Sequence, residues 1–319
     1  MLKPVLFVSG LGQPLNRTEN LKALYDAYDG PKLYMSIYNK NYKSEIASGK
    51  YDLQVIDVFP ECSPDKTIMI WHAIQGGKHI GLDERDTYYK PEYANLITAI
   101  ISTGPDASRF LHQCTGVPMD RILPLGMPRT DAYIGKKKGD GHTALAGKKA
   151  YFYVPTYRTK QETPMPNIDW AWLNDQLRDD ELFVVKSHPF TRSLNIRNYK
   201  HVMEISGVEP TTNYLYDADV VITDYSSIIF DGYLLGKPAV LFEKNPGYTA
   251  DNVRGMYMKY PDEYCSRYAT TEQELLQAIR TADALTQLER DLINRLAEYC
   301  DGHSTERIVN LIHTMNGGD

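Results

Sequence analysis

Short β-rich runs alternate with stretches whose apolar residues recur at helical spacing. In the first part of the chain, strands are predicted at Val5–Ser9, Lys32–Tyr38, Gln54–Phe59, Thr67–Trp71, Ile97–Ser102 and Arg121–Gly126. Helices are predicted at Asn16–Tyr28 and Asp106–Cys114, the second capped by Asp106 and stopped near Gly116. Several of the strand runs are apolar throughout rather than alternating. That pattern belongs to strands buried on both faces, as in a parallel sheet covered by helices.

Residues 135–149 interrupt this order with four glycines and five lysines in fifteen positions, the composition of an exposed connector. The alternation then resumes. Strands are predicted at Ala150–Val154, Leu182–Lys186, Val220–Thr223 and Ala239–Phe242, and helices at Trp170–Arg178 and Ile228–Leu235. From Thr271 onward the pattern is helical, broken at Gly302. The expected organisation is an α/β domain over 1–135, a linker over 136–149 and a second α/β domain over 150–319. The last helix is free to pack back on the first domain. In such sheets ligands bind beyond the C-terminal strand ends, here in a cleft between the two domains.

Composition narrows the class. The chain has 319 residues, 42% of them hydrophobic and 24% charged, an ordinary globular balance. A net charge of −6 argues against a chain-wide nucleic-acid footprint. The four cysteines, at 62, 114, 265 and 300, form no Cys-x-x-Cys pair and read as free thiols of a reducing compartment. The segment after Met1 runs directly into a strand, and no apolar window is long enough to span a bilayer, so a cytoplasmic location is expected. Tyrosine outnumbers phenylalanine 24 to 8, and its scatter suggests surface and interface packing.

Candidate chemistry clusters at predicted strand ends. Thr223-Asp224-Tyr225-Ser226-Ser227 joins a buried strand to a helix carrying Asp231. Its hydroxyls and helix-start N–H groups suit phosphate oxygens, and a well-capped helix without a ligand would need only one such residue where this turn has five. His72 ends one strand beside the flexible Gly76-Gly77-Lys78, which lacks P-loop spacing. His188, before Pro189, ends another, with Lys186 on the same side of the strand. A strand-end histidine is well placed to act as a base, yet each alone is as often simply exposed. Arg158 offers a charged fork suited to phosphate. Arg129 and Asp131 fit a mutual ion pair better than a ligand contact. No carboxylate joins His72 and His79 in metal-ligand spacing, so no metal is expected.

These motifs resemble the CDP-glycerol glycerophosphotransferases of teichoic acid and capsule synthesis. The resemblance rests on Thr223 to Ser227 with Phe230-Asp231, Tyr153 to Arg158, His188-Pro189, Gly126 to Asp131, Asn252 to Gly255, and Asp301-Gly302 with Glu306-Arg307, in that family's order. His72-Ala73 is similar to a variant seen in shorter, primase-like members, where many others have His-Gly. His79 stands where a second lysine is common, and Gly232 where an aromatic is common.

The resemblance implies a GT-B-like architecture, two Rossmann-like domains with parallel sheets facing a cleft. It implies a CDP-glycerol donor, or a relative such as CDP-ribitol, a CMP leaving group and no cofactor. The implied acceptor is lipid-linked or polymeric, so peripheral membrane contact is expected. The family's histidines map onto His72 and His188, expected to be catalytic. Donor contacts map onto Arg158, Lys186, Thr223, Asp224, Ser226, Ser227 and Asp231, with Arg129 as a further candidate. The alternatives are a nucleotide-sugar glycosyltransferase or epimerase of the same architecture, a ribitolphosphotransferase, or a non-catalytic nucleotide-binding module.

Overall fold

The computed structural model describes residues 2–10, 12–76, 91–156, 167–187, 196, 199–207, 209–244 and 255–317. It divides into two compact units, one formed by residues 1–134 with 294–319 and the other by 135–293.

The first unit holds a six-stranded sheet in the order β2-β1-β3-β4-β5-β6. Its strands are β1 (Val5–Ser9), β2 (Lys32–Ser36), β3 (Leu53–Ile56), β4 (Lys66–Ile70), β5 (Ala99–Ser102) and β6 (Ile122–Pro124). Every pairing is parallel. The central runs are entirely buried, as strands covered on both faces must be. One face packs on helix α1 (Glu19–Ala27) and on α9 (Ser304–Met315) near the end of the chain. Val5, Phe7, Val55 and Ile68 meet Leu21, Leu24, Ile308 and Ile312 there. Between β2 and β3 lies α2 (Tyr42–Ala47).

Helix α3 (Pro105–Thr115) departs from expectation at its start. Its N-cap is Gly104, with Pro105 in the first turn, and Asp106 makes no cap bond. Asp106 instead takes Arg109 and Arg295 on its two oxygens. Proline pre-sets the helical φ and needs no N–H partner, so the helix starts two residues earlier than a capping aspartate would dictate. It stops at Gly116, whose φ is +70°.

The second unit holds the order β12-β11-β10-β7-β8-β9, again with every pairing parallel. Its strands are β7 (Lys149–Tyr153), β8 (Glu181–Lys186), β9 (Val202–Ile205), β10 (Val220–Thr223), β11 (Ala239–Phe242) and β12 (Tyr268–Ala269). Its helices are α4 (Trp170–Gln176), α5 (Thr211–Leu215), α6 (Ile228–Leu234) and α7 (Glu272–Thr281), and α8 (Gln287–Leu296) follows them. Numbered from β7, this is the 3-2-1-4-5-6 order of a dinucleotide-binding sheet. Tyr151, Tyr153, Phe183 and Phe242 pack with Leu173 of α4 and Leu275 and Ile279 of α7.

The stretch 135–149 is mostly exposed and is held to this second unit. Lys138 donates to Asp219 and to the Lys148 carbonyl, and Gly139 N–H to Asp217. Many tyrosines are core residues rather than surface ones. Tyr42, Tyr151 and Tyr233 are fully buried, each with its hydroxyl on a buried acceptor at a strand or turn: Gln54, Glu181 and the Tyr264 carbonyl. A phenol can fill core volume and still place its polar tip, which a reading from scatter overlooks. All four cysteines are free.

Candidate active site

In a doubly wound sheet, the point where strand order reverses leaves a crevice at the C-terminal strand ends. Each unit has one such point. In the second it lies between β7 and β10, and in the first between β1 and β3.

At the second unit's switch point, Asp224 follows β10 and is almost fully buried. Its Oδ1 accepts from the Thr156 N–H at 2.9 Å, the Thr156 hydroxyl at 2.5 Å and the Tyr225 N–H at 2.6 Å. Thr223 is also buried, and its hydroxyl donates to the Val154 carbonyl at 2.6 Å. Tyr260 donates to the Asp224 carbonyl at 2.8 Å, and burial pushes its phenol pKa far up, which keeps it a donor. Thr223 and Asp224 thus tie the ends of β7 and β10 together. They shape the turn rather than line its surface.

Ser226 and Ser227 come next and are half-buried. Ser227 occupies the N-cap of α6 but makes no side-chain cap bond, and the Ser226 hydroxyl lies 3.5 Å from Ile228 N. Their hydroxyls are therefore little used by the fold. Asp231 is buried in α6. At the end of β8, the buried Lys186 ammonium donates to the Gly207 carbonyl at 2.7 Å, and just beyond it the Ser187 hydroxyl donates to Glu204 at 3.1 Å. Arg158, His188 with Pro189, His79 and Asn252 to Arg254 lie outside the described residues.

In the first unit, His72 is exposed just past β4, its ring 4.5 Å from that of buried Trp71. Trp71 is wedged edge-on against Phe59 at 6.0 Å. The His72 carbonyl accepts from the Arg129 guanidinium. Arg129 sits in a 3₁₀ turn, Pro128–Tyr133, and its N–H donates to Asn20 Oδ1 at 3.0 Å. Asp131, expected as the partner of Arg129, is engaged elsewhere. Its two oxygens accept from the Ser304 and Thr305 N–H groups at 3.0 and 2.7 Å, capping α9 from a distance in sequence. Arg307, on α9, holds Asp301 together with the Leu125 and Tyr299 carbonyls. The Gly126–Asp131 and Asp301–Arg307 motifs therefore meet as one fastening of the chain's last helix.

The first unit's switch point holds a residue that sequence reasoning missed. Asp57 follows β3, is 5% exposed and accepts from the Gly10 N–H at 2.7 Å. Burial pushes its carboxyl pKa up to about 6, against bonds from Gly10 and Ser9 that lower it. An added Cβ at Gly10 would meet Val58 Cγ2 at 1.7 Å, so this close approach requires glycine. An acidic residue directly after a strand-like run, Leu53–Ile56, was the available signal.

A family model described as CDP-Glycerol:Poly(glycerophosphate) glycerophosphotransferase matches residues 44–314. The chain belongs to that family. The teichoic acid poly(ribitol-phosphate) polymerase of Bacillus spizizenii is 25% identical over 315 residues, covering 88% of this chain and 50% of the relative. The teichoic acid glycerol-phosphate primase of Bacillus subtilis is 26% identical over 268 residues, covering 78% of this chain and 68% of the relative. The chain spans about half the length, or less, of the polymerases among its curated relatives. The solved structure of the wall teichoic acid polymerase TagF superposes with a TM-score of 0.77 at 18% identity, covering 98% of this chain and 89% of that one. The family member thus has the expected α/β, GT-B-like class with two Rossmann-like units. Among the described residues no helix is long and apolar enough to cross a membrane, and no cluster of three or more His, Cys, Asp or Glu side chains is arranged to hold a metal.

Proposed function

We propose that this chain transfers glycerol phosphate from CDP-glycerol to an acceptor hydroxyl and releases CMP, in the synthesis of a teichoic-acid-like or capsule polymer. The observation that carries the reading is the family match over residues 44–314. The strand order of the second unit and the lightly used hydroxyls of Ser226 and Ser227 support it.

In the proposed reaction His72 takes the proton of the acceptor hydroxyl. The acceptor oxygen bonds to the phosphorus that carries glycerol, and the bond from that phosphorus to the CMP oxygen breaks. His188 as imidazolium, Arg158 and the Ser226-Ser227 turn neutralise charge on the diphosphate, with Lys186 and Asp231 supporting the donor side. Thr223 and Asp224 set the turn's shape. Catalysis of this kind rests on positioning and charge neutralisation. No metal or cofactor enters the proposal. The proposed acceptor is a lipid-linked saccharide or a glycerol-phosphate chain, reached from the cytoplasm by peripheral contact with the membrane.

The test is CMP release from CDP-glycerol, with mass spectrometry of the product formed on candidate acceptors. A product heavier by one or more glycerol phosphate units, formed as CMP appears, is expected. A positioned base contributes about 10²–10⁴-fold, so His72→Ala is expected to lose that much turnover. Donor binding without CMP release would overturn the proposal. Because a ribitol-phosphate polymerase is among the relatives, CDP-ribitol is the competing donor. Preferential use of it would reassign the transferred unit.

A further inference from the structure

We propose that Arg129 is a positioning residue for His72, and that the chain's last helix fixes the turn from which it acts. The inference rests on the proposed function only in taking His72 as the base.

A long arginine side chain positions nothing unless its root is fixed. Here the root is fixed from several sides. The Arg129 N–H is held by Asn20 of α1 at 3.0 Å. Thr130, next in the chain, is 1% exposed and its hydroxyl closes on the Met127 carbonyl at 2.7 Å. Asp131 is bound to the first turn of α9 through two N–H groups. On the other flank, the Leu125 and Gly126 N–H groups both donate to the Ser102 carbonyl, at 3.1 and 3.0 Å. The turn is therefore built into the sheet end, α1 and α9 together.

From that base the guanidinium reaches the carbonyl of His72 itself. This bond fixes the peptide that follows the strand and so the direction in which Cβ leaves it. The ring is then steadied by Trp71, which is 6% exposed and packed on Phe59. An exposed imidazole held at its main chain and lying against a fixed neighbouring ring has fewer orientations left, which is what a base needs to meet one hydroxyl geometry. The structure thus assigns the Gly126–Asp131 motif to the base side of the reaction rather than to donor binding.

The experiment compares Arg129→Ala and Arg129→Lys in the full chain. Two readouts are used: steady-state kinetics with CDP-glycerol, and NMR of protein carrying ¹³Cε1-labelled histidine. Arg129→Ala is expected to lower kcat about 10–100-fold while KM for CDP-glycerol changes less than threefold. Arg129→Lys, which keeps a cationic donor for the carbonyl, is expected to recover most of kcat. In Arg129→Ala the His72 resonance is expected to shift and broaden, while His142, in the second unit, stays in place. A KM raised tenfold at unchanged kcat would make Arg129 a donor ligand and overturn the inference. An unmoved His72 resonance would overturn it too. If the wild type releases no CMP, the proposed function fails, and the NMR comparison still decides whether Arg129 orders His72. Should the alanine variant not fold, Arg129→Met, which keeps the long stem and loses the donor, takes its place in both readouts, with the same results expected and the same results overturning the inference.

Discussion

Asp224 and Thr156 are joined twice through one oxygen. Asp224 Oδ1 accepts both the N–H and the hydroxyl of Thr156, at 2.9 and 2.5 Å. The two residues follow the adjacent strands β10 and β7, where strand order reverses. The pair therefore sets the backbone path into Ser226 and Ser227 without itself lining the turn. Replacing Asp224 with Ala removes three hydrogen bonds to its buried carboxyl, each worth about 0.5–1.5 kcal/mol net. A fall in Tm of roughly 5–10 °C is expected, together with weaker CDP-glycerol binding, measured by thermal denaturation and calorimetry.

Ser226 and Ser227 form the complementary case. Their hydroxyls contribute little to α6, so replacing both with Ala is expected to change stability by less than about 1 kcal/mol. If they grip the diphosphate, two bonds to charged oxygens are lost and Kd for CDP-glycerol rises about 10²–10⁴-fold. Unchanged affinity, measured by titration, would remove the turn from the donor site.

Asp57 gives a pH signature. Unfolded, its carboxyl titrates near 3.8, and in the fold near 6. Between those values the folded protein holds a proton that the unfolded chain has released. Asp57's effect on stability is thus neutral at low pH, becomes increasingly adverse from about pH 4 to about pH 6, and is constant above that. Two pH units correspond to about 3 kcal/mol at most. Asn in its place still accepts the Gly10 N–H. Asp57→Asn is therefore expected to be as stable as wild type at pH 7 or more so, by up to about 3 kcal/mol, and to lose this slope. Urea unfolding at intervals from pH 4 to 7 reads the difference, and parallel curves for the two proteins would refute it.

Glu181 carries the opposite sign. Burial pushes its pKa up, but the Arg280 guanidinium, the Arg178 N–H and the Tyr151 hydroxyl prevail and hold it at about 2. A depressed carboxyl stabilises fully above its unfolded value of 4.5 and loses that contribution as pH falls toward 2. Glu181→Ala also leaves the half-buried Arg280 without its acid, at about 3 kcal/mol. Thermal unfolding at pH 7 and pH 3 is expected to show a larger gap between variant and wild type at pH 7.

Gly126 has φ +93°, and an added Cβ would lie 2.2 Å from the Tyr299 carbonyl oxygen and 2.3 Å from Ser304 Oγ. Gly126→Ala is expected to destabilise by about 2 kcal/mol or more through backbone strain and displacement of the segment leading into α9. Limited trypsin digestion should then release the C-terminal tail earlier than in wild type.

Much of this architecture was legible because its central strands are buried on both faces. Val5–Ser9 and Val220–Thr223 are apolar enough to be read without context. The edge strands were harder: Val202–Ile205 is half-exposed at its centre, and β12 is two residues long. Lone acids such as Asp57 carry no spacing, and their significance comes from strand order, which sequence does not spell out. The Arg129–Asp131 spacing suggested a local pair, whereas their partners lie 57 and over 170 residues away. Likewise, apolar spacing in 304–315 marks an amphipathic helix without saying which sheet it covers.

The return of residues 294–316 to the first unit has a consequence for how the chain is made. Asn316 donates to the Lys3 carbonyl at 2.9 Å, and Lys66 to that of Met315 at 2.6 Å. During synthesis every strand of the second unit leaves the ribosome before α9 exists. The usual amino-to-carboxyl order of maturation is thereby inverted. The middle of the polypeptide can settle first, while the unit begun earliest stays open along one flank until translation reaches its last turns.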